Sequence, residues 1–364
     1  MKIKDNYITM SIKDRRTIVV SDIHGNIDLF KNLLSKVTYT EDDRLIILGD
    51  IIDKGPNSIE LVEFVGELLK NEHVHMVLGN CDCIFDELEE DYLYNYMKRR
   101  HTLVHEALDK LGKTLDDYES QSDMAKDVHK HFSHIHDIVR DLPLMIETED
   151  FIFVHAGLDH HDYMNTSRYN ALNMPYFYNA THDAQKLVVV GHFPTCNFVE
   201  DGLMNNNIKV NEVSRIIDID GGNQVKYSGQ LNALIIKYTG DTYTLNTLAV
   251  DHYKRQVVIQ DFEVAYQEPH TFTYPHFEIE VFDGDEYFTH AKHIHTGIDF
   301  MVKTEFIKAV EDGYRLKDDY TDYFMDVSIG EEVAIIDDSY LGYTLIMKDG
   351  ITGWVPEEVL EQAI

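Results

Sequence analysis

Thr17-Ile-Val-Val-Ser-Asp-Ile-His-Gly25 sets a carboxylate, Asp22, and an imidazole, His24, directly behind a short β-branched apolar run. A run of this kind that stops at polar residues and a glycine reads as a buried strand opening into a loop. The same arrangement recurs four times. Leu45-Ile-Ile-Leu precedes Gly49-Asp-Ile-Ile-Asp-Lys-Gly55, and Val74-His-Met-Val-Leu precedes Gly79-Asn-Cys-Asp82. Phe151-Ile-Phe-Val precedes His155-Ala-Gly157, and Leu187-Val-Val-Val precedes Gly191-His-Phe-Pro194. Between the first three runs, Ile27-Asp-Leu-Phe-Lys-Asn-Leu-Leu and the segment from Ser58 to Leu69 carry apolar residues at three- and four-residue steps. The pattern predicts two successive β-α-β units in an α/β fold.

Position along the strands turns these polar residues into a site. In α/β sheets the ligand crevice lies beyond the carboxyl ends of the strands, where neighbouring loops converge. Asp22, Asp50 and Asn80 are 28 and 30 residues apart (50 − 22 and 80 − 50), about one β-α-β repeat each time. His155 and His192 follow their own strands at once and join from the other half of the fold. Carboxylates and imidazoles with one amide oxygen suit Mn, Fe or Zn, whereas a soft thiolate site needs more cysteine. Two such ions roughly 3.5–4 Å apart clamp both oxygens of a phosphoryl displacement, and Asp50 is the candidate bridge between them. Taken singly, Asp53-Lys-Gly-Pro is a solvated turn and a lone histidine a core residue. The conjunction of five motifs, each at a strand end, makes the case.

These residues resemble the calcineurin-like metallophosphoesterases, and within them the phosphoprotein phosphatase branch of bacterial serine/threonine phosphatases and diadenosine tetraphosphatases. The family's pattern is G-D-x-H-G, G-D-x-x-D-R-G, G-N-H-D/E, H-A/G-G and G-H. Its closing I-D-x-G…G-x-L-x-A-L segment is similar to Ile217-Asp-Ile-Asp-Gly-Gly through Gly229-Gln-Leu-Asn-Ala-Leu234, so the likeness covers about residues 15–250. The resemblance implies a β-sandwich flanked by helices and two divalent ions, with manganese expected first. Asp22, His24 and Asp50 would hold one ion, and Asp50, Asn80, His155 and His192 the other. It also implies serine/threonine phosphatase-like hydrolysis, with phosphodiesters and nucleoside polyphosphates as the alternative and a catalytically weakened metal-binding scaffold as a reading of another class.

Three departures bear on the substrate: Cys81 stands where the family has histidine, Lys54 where it has arginine, and Ser21 where it has glycine. Lys54 keeps the charge expected to hold phosphate but loses the bidentate fork. Cys81 removes a residue implied to protonate the leaving group in concert with Asp53. Acid assistance is typically worth about 10²–10⁴-fold, most for poor leaving groups. A G-N-C-D form also resembles some small phosphodiesterases, although those carry G-H-x-H where this chain has Pro194. Asp53, Cys81 and Lys54 are therefore the expected catalytic residues, with Arg168 beside Lys54 on the phosphate and Arg215 as a further cation.

The chain has 364 residues, with 32 basic against 65 acidic side chains and a formal charge of −33. That field repels polyphosphate backbones and argues against nonspecific nucleic-acid binding. Three cysteines give no disulfide framework. Neither a basic-then-apolar leader nor an apolar stretch near 18 residues is seen, which predicts a cytoplasmic protein that does not span a membrane. The partners expected are a phosphorylated substrate, phosphoprotein or nucleotide, and a protein recruited by the carboxyl-terminal region.

From about 84 to 142 the sequence becomes helical and polar, an inserted cap that shapes the substrate entrance. The cluster His129, His131, His134 and His136 reads as hydrated surface, and the aromatic residues from Tyr169 to Tyr178 as packing first, with stacking on a nucleobase as the alternative. The catalytic domain is expected over 1–250. After it, 251–364 alternates short strands with Asp-Gly pairs at Asp283, Asp312 and Asp349, which predicts hairpins of a small antiparallel domain. The stretch near 327–364 resembles the close of a Src-homology-3-like barrel, in which Trp354 and Pro356 are structural or line a peptide groove with Tyr340 and Tyr343.

Overall fold

A computed structural model describes residues 1–361, so the last three positions of the barrel-like stretch, 362–364, lie outside the described residues. The chain divides into two compact units. The first comprises Met1–Pro194, Ile208–Val225 and Leu231–Asp251, and the second takes Thr195–Asn207, Lys226–Gln230 and the chain from His252.

In the first unit, strands Thr17–Val20, Arg44–Ile47 and Val74–Met76 pair in parallel, as the β-α-β pattern requires. The long hairpin Leu231–Thr239 and Thr242–Val250 extends this sheet antiparallel from the Thr17–Val20 edge. A second, six-stranded mixed sheet carries Phe151–Val154, Leu187–Val190 and Ile216–Asp218 in parallel. Alternation along each strand assigns the two faces. Val19 and Ile46 join Phe153, Val189 and Ile217 in one buried cluster drawn from both sheets, while Ile18, Val20, Leu45 and Ile47 face the helices. The result is the expected sandwich with helices on an outer face.

Helix Ile27–Lys36 begins at Asn26, whose side chain accepts the Leu29 N–H at 3.2 Å. Helix Ser58–Leu68 is capped from a distance: Glu106 accepts the N–H groups of Ser58 and Ile59 at 2.8 and 3.0 Å. Glu106 belongs to the inserted region, where helices Asp91–Met97, Leu103–Leu111 and Gln121–Val139 pack Val104, Ala107, Met124 and Val128 into the same core as Ile59 and Val62. The insertion is thus tied to the loop ahead of helix Ser58–Leu68 by charge as well as by apolar burial. Its histidines pair locally, His131 with Asp127, His134 with Glu63 and His136 with Asp86. Among the described residues no helix is long and apolar enough to cross a membrane.

The second unit is all-β. One five-stranded antiparallel sheet contains Glu278–Gly284, Phe288–His293 and Asp299–Lys303, and another contains Glu332–Asp337, Tyr343–Lys348 and Ile351–Pro356. Asp349-Gly350 makes the expected tight turn, whereas at Asp312 the turn residues are Glu311 and Asp312 and Gly313 already pairs with Val310. At Asp349-Gly350 both residues have positive φ (52° and 77°), the geometry of a two-residue hairpin. Asp283-Gly284 instead lies within its strand next to a register shift, and the chain turns after it. Trp354 is buried, donates from Nε1 to the Thr321 carbonyl at 2.8 Å and packs edge-on to Tyr340. It is a core residue of this unit.

Candidate metal centre

The five motif loops leave the carboxyl ends of their strands and interlock through backbone. His24 N–H donates to the Asp50 carbonyl at 3.0 Å and Gly25 N–H to that of Ile51 at 2.8 Å. Gly191 N–H donates to the His155 carbonyl at 2.8 Å. The spacing leaves no room for side chains at the motif glycines: a Cβ on Gly55 would strike the His24 carbonyl, and one on Gly191 would strike Ser21 and Asp22. Six predicted site residues, Asp22, His24, Asp50, Asp53, Lys54 and His192, have positive φ. For non-glycine residues that conformation is uncommon and holds only where surroundings enforce it.

The predicted ligands converge. His24, Asp50 and Cys81 place ligand atoms within 4.8 Å of one another, and so do Asp50, His155 and His192. Asp50 belongs to both groups, with Oδ2 3.9 Å from His24 Nε2 and Oδ1 3.5 Å from His155 Nε2. Asp22 Oδ1 lies 3.6 Å from His24 Nε2. Its Oδ2 accepts the Ser21 hydroxyl and, at 2.9 Å, the His192 N–H.

Hydrogen bonds orient the rings. His155 Nδ1 faces the Leu48 carbonyl at 2.7 Å and His24 Nδ1 that of Ile52 at 3.2 Å. A carbonyl demands N–H, so in both rings the Nε2 lone pair turns inward, as metal-binding histidines require. Burial lowers His24 to a pKa of about 3 and His192 to about 4, which keeps both imidazoles neutral. Burial would raise Asp50, but the positive surroundings, the Lys54 ammonium among them, outweigh it and hold the carboxylate ionised. Burial also raises Cys81, with the Asp50 charge adding to it, so the thiol stays protonated.

Two observations test whether these residues fit divalent ions. The Asn80 side-chain amide lies 3.0 Å from His155 Nε2 and 2.9 Å from His192 Nδ1, so one polar atom meets two ring nitrogens at a single point. Lys54 Nζ reaches into the other group, 3.2 Å from His24 Nε2 and 4.0 Å from Asp50 Oδ2, so these donors already accept a positive charge. Neutral imidazoles, an ionised carboxylate and an amide oxygen are the forms that ligate. The set fits.

Next to the centre opens a cleft of about 730 Å³ lined by Asp53, Lys54, Asn80 and Cys81 on one side and by Tyr92, Tyr96, Arg99, Arg168 and Tyr169 further out. The inserted helices contribute Tyr92 and Tyr96. Asp53 is pushed up to about 7 by burial and accepts the Leu103 N–H at 2.6 Å. Burial would lower Lys54, but the surrounding acidic groups, the ionised Asp50 among them, hold its ammonium charged. Arg168 lines the cleft, with Nη2 3.0 Å from Cys83 Sγ and 3.5 Å from Asp86. Arg215 does not line it and is instead bonded to Gln185 and the Ala184 carbonyl. The aromatic stretch divides: Phe177 and Tyr178 are buried, whereas Tyr169 is 73% exposed in the cleft wall, contrary to the packing expected of it.

Sequence reasoning missed two carboxylates. Asp82 is buried and accepts the N–H groups of Asp50, Ile51, Ile52 and Gly79 at 2.9–3.2 Å, fixing the Asp50 loop. Asp220 follows strand Ile216–Asp218 and lies close to Asp22. The signal for it was present, since Arg215-Ile-Ile-Asp-Ile-Asp220 repeats the apolar-run-then-carboxylate arrangement.

A fold of this kind with a shared carboxylate between two ligand groups defines the class. Over residues 15–217 the chain matches the calcineurin-like phosphoesterases and belongs to that family, a class of metal-dependent hydrolases built on a binuclear divalent site. Among curated proteins it is similar to the asymmetrical bis(5'-nucleosyl)-tetraphosphatase PrpE of Bacillus subtilis (strain 168), 29% identical over 151 residues, 38% of this chain and 57% of that protein. It is also similar to the symmetrical bis(5'-nucleosyl)-tetraphosphatase of Vibrio parahaemolyticus, 30% identical over 153 residues, 42% of this chain and 48% of that protein. The chain thus spans about half the length of these relatives. A solved protein serine/threonine phosphatase from Saccharomyces cerevisiae aligns with 69% of this chain and 85% of its own at 15% identity, with a TM-score of 0.42.

Proposed function

We propose that this protein hydrolyses phosphoric esters with two divalent ions, manganese first among the candidates, held by Asp22, His24 and Asp50 on one side and by Asp50, Asn80, His155 and His192 on the other. The observation that carries this reading is Asp50, whose two oxygens face His24 and His155 separately. The ions supply the nucleophile and the charge stabilisation of an in-line displacement. Lys54 holds a phosphoryl oxygen by charge, and Arg168 meets an outer phosphate. Asp53, raised towards neutrality, exchanges a proton on the leaving-group side next to the Cys81 thiol.

The cleft favours a nucleoside polyphosphate. Its aromatic wall of Tyr92, Tyr96 and Tyr169 suits a planar base, and Arg99 and Arg168 suit anionic oxygens beyond the reacting phosphorus. Its volume is that of a small-ligand site. Phosphoserine or phosphothreonine in a peptide is the competing substrate, for which a motif set like that of the phosphatases speaks. Manganese-reconstituted turnover of diadenosine tetraphosphate beside a phosphoserine peptide tests the choice. Preference for the peptide overturns the nucleotide reading, and metal binding without turnover of either leaves a metal-binding scaffold.

Residues 1–250 form the catalytic domain in this proposal, with the insertion over 84–142 as its cap, and 251–364 the appended β domain. A Src-homology-3-like barrel near 327–364 draws support from the strand order Glu332–Asp337, Tyr343–Lys348, Ile351–Pro356, followed by a single 3-10 turn and a bridge from Leu360 to Val258. Burial of Trp354 speaks against a peptide groove built on that residue, so a protein partner would dock elsewhere on the domain. The protein is expected in the cytoplasm.

A further inference from the structure

We infer that Asp220 is a further metal-ligating carboxylate, on the Asp22 side of the centre. It rests on the metal-centre reading above and adds a residue outside the six predicted ligands. Three observations lead to it.

Asp220 is placed by the same rule as the other ligands. Strand Ile216–Asp218 runs parallel to Leu187–Val190, the strand that delivers His192, and Ile219 N–H continues the ladder to the Val190 carbonyl at 2.9 Å. The loop beyond is then fastened to the Asp22–His24 loop: Asn223 Nδ2 donates to the Ile23 carbonyl at 2.8 Å and approaches that of Asp22 at 3.5 Å. Asp220 therefore leaves the crest beside Asp22.

Its two oxygens are unequal. Oδ1 accepts the Gly222 N–H at 2.8 Å, while Oδ2 is buried with no hydrogen-bond partner among the described residues. The residue is only 1% exposed. An ionised carboxylate so withdrawn from water is strongly unfavourable unless a positive charge meets it.

The surrounding charge does not supply enough. Asp22, Lys54 and Asp50 are the charged groups that act on Asp220 most strongly, and Asp218 is buried beside it. Lys54, itself drawn towards His24 and Asp50, is the cation that acts on Asp220, while Lys209 acts on Asp218. A divalent ion on the Asp22 side balances the carboxylates and gives Oδ2 a partner.

The test is Mn²⁺ and Zn²⁺ titration against a fluorescent chelator, with thermal melts of metal-free and metal-loaded protein, for wild type and the near-isosteric Asp220→Asn. Wild type should bind two ions. In the variant one ion should bind roughly 10–100-fold more weakly and the other unchanged. Loading with metal should raise the melting temperature of the variant less than that of wild type. Two unchanged affinities in the variant overturn the role of Asp220 while the metal centre stands. Failure of wild type to bind ions overturns both. Asp220→Ser serves if the first variant does not fold, with the same expectations for affinity.

Discussion

The Asp82 carboxylate accepts the backbone N–H of Asp50 at 2.9 Å and extends the same grip to Ile51 and Ile52. A buried carboxyl inside the G-N-C-D motif, pushed up to about 7 by burial and the Asp50 charge, thus holds the loop that presents the bridging carboxylate, at a residue whose positive φ needs enforcement. Asp82→Asn replaces one acceptor oxygen by a donor that faces N–H groups. Hydrogen bonds to charged groups are worth about 1.5–3 kcal/mol each, so a loss of roughly 2–4 kcal/mol is expected by chemical denaturation, with turnover reduced more than tenfold. Unchanged stability would show that the loop holds its shape unaided.

Cys81 lies within ligand distance of His24 and Asp50 and lines the cleft. If the missing acid limits the rate, Cys81→His should raise hydrolysis of alkyl phosphates by about 10–10²-fold and leave p-nitrophenyl phosphate nearly unchanged. Equal rates for both esters would show that Asp53 already suffices.

Tyr169 is exposed in the cleft wall and belongs to no buried cluster. Base stacking on an aromatic is worth about 1–3 kcal/mol, so Tyr169→Ala should raise KM for diadenosine tetraphosphate by roughly 10-fold with p-nitrophenyl phosphate unaffected. A parallel loss on both substrates would assign Tyr169 a structural part.

Directly ahead of strand Arg44–Ile47, Asp43 receives Arg16 Nε and Nη2 at 2.8 and 2.7 Å and the Thr40 N–H at 2.8 Å. Burial would raise the carboxyl, but these bonds hold it below its usual value. A depressed folded pKa means stability that is present above about pH 4 and lost as pH falls below it. Asp43→Asn should therefore be less stable than wild type by about 2 kcal/mol at pH 7, and the gap should narrow as pH falls below about 4. A gap that does not narrow in acid would contradict the charged pairing.

Strands Thr17–Val20, Phe151–Val154 and Leu187–Val190 match the apolar runs read from the sequence residue for residue, because each is buried on both faces and stops where ligand loops begin. His24, Asp50, His155 and His192 converge because every loop leaves the same edge. Other features depend on contacts far apart in sequence. Nothing local announces that Asp22, Asp50 and His192 adopt positive φ, since interlocked loops impose it. The reach of Glu106 to the Ser58 helix and of Asp82 to Asp50 is likewise a product of packing. Tyr169 reads as core by composition, and only the cleft shows it exposed. At Asp283 the turn chemistry pointed to a hairpin where register places a bulge.

The central claim is that Asp50 bridges two ions. Manganese stoichiometry and electron paramagnetic resonance of loaded wild type and Asp50→Asn, with turnover of p-nitrophenyl phosphate and bis-p-nitrophenyl phosphate on the same samples, test it most directly. Wild type should hold two exchange-coupled ions per chain and hydrolyse at least one ester, while Asp50→Asn should lose the coupling, at least one ion and all turnover. Two uncoupled ions in wild type, or undiminished turnover in purified Asp50→Asn, would contradict the account.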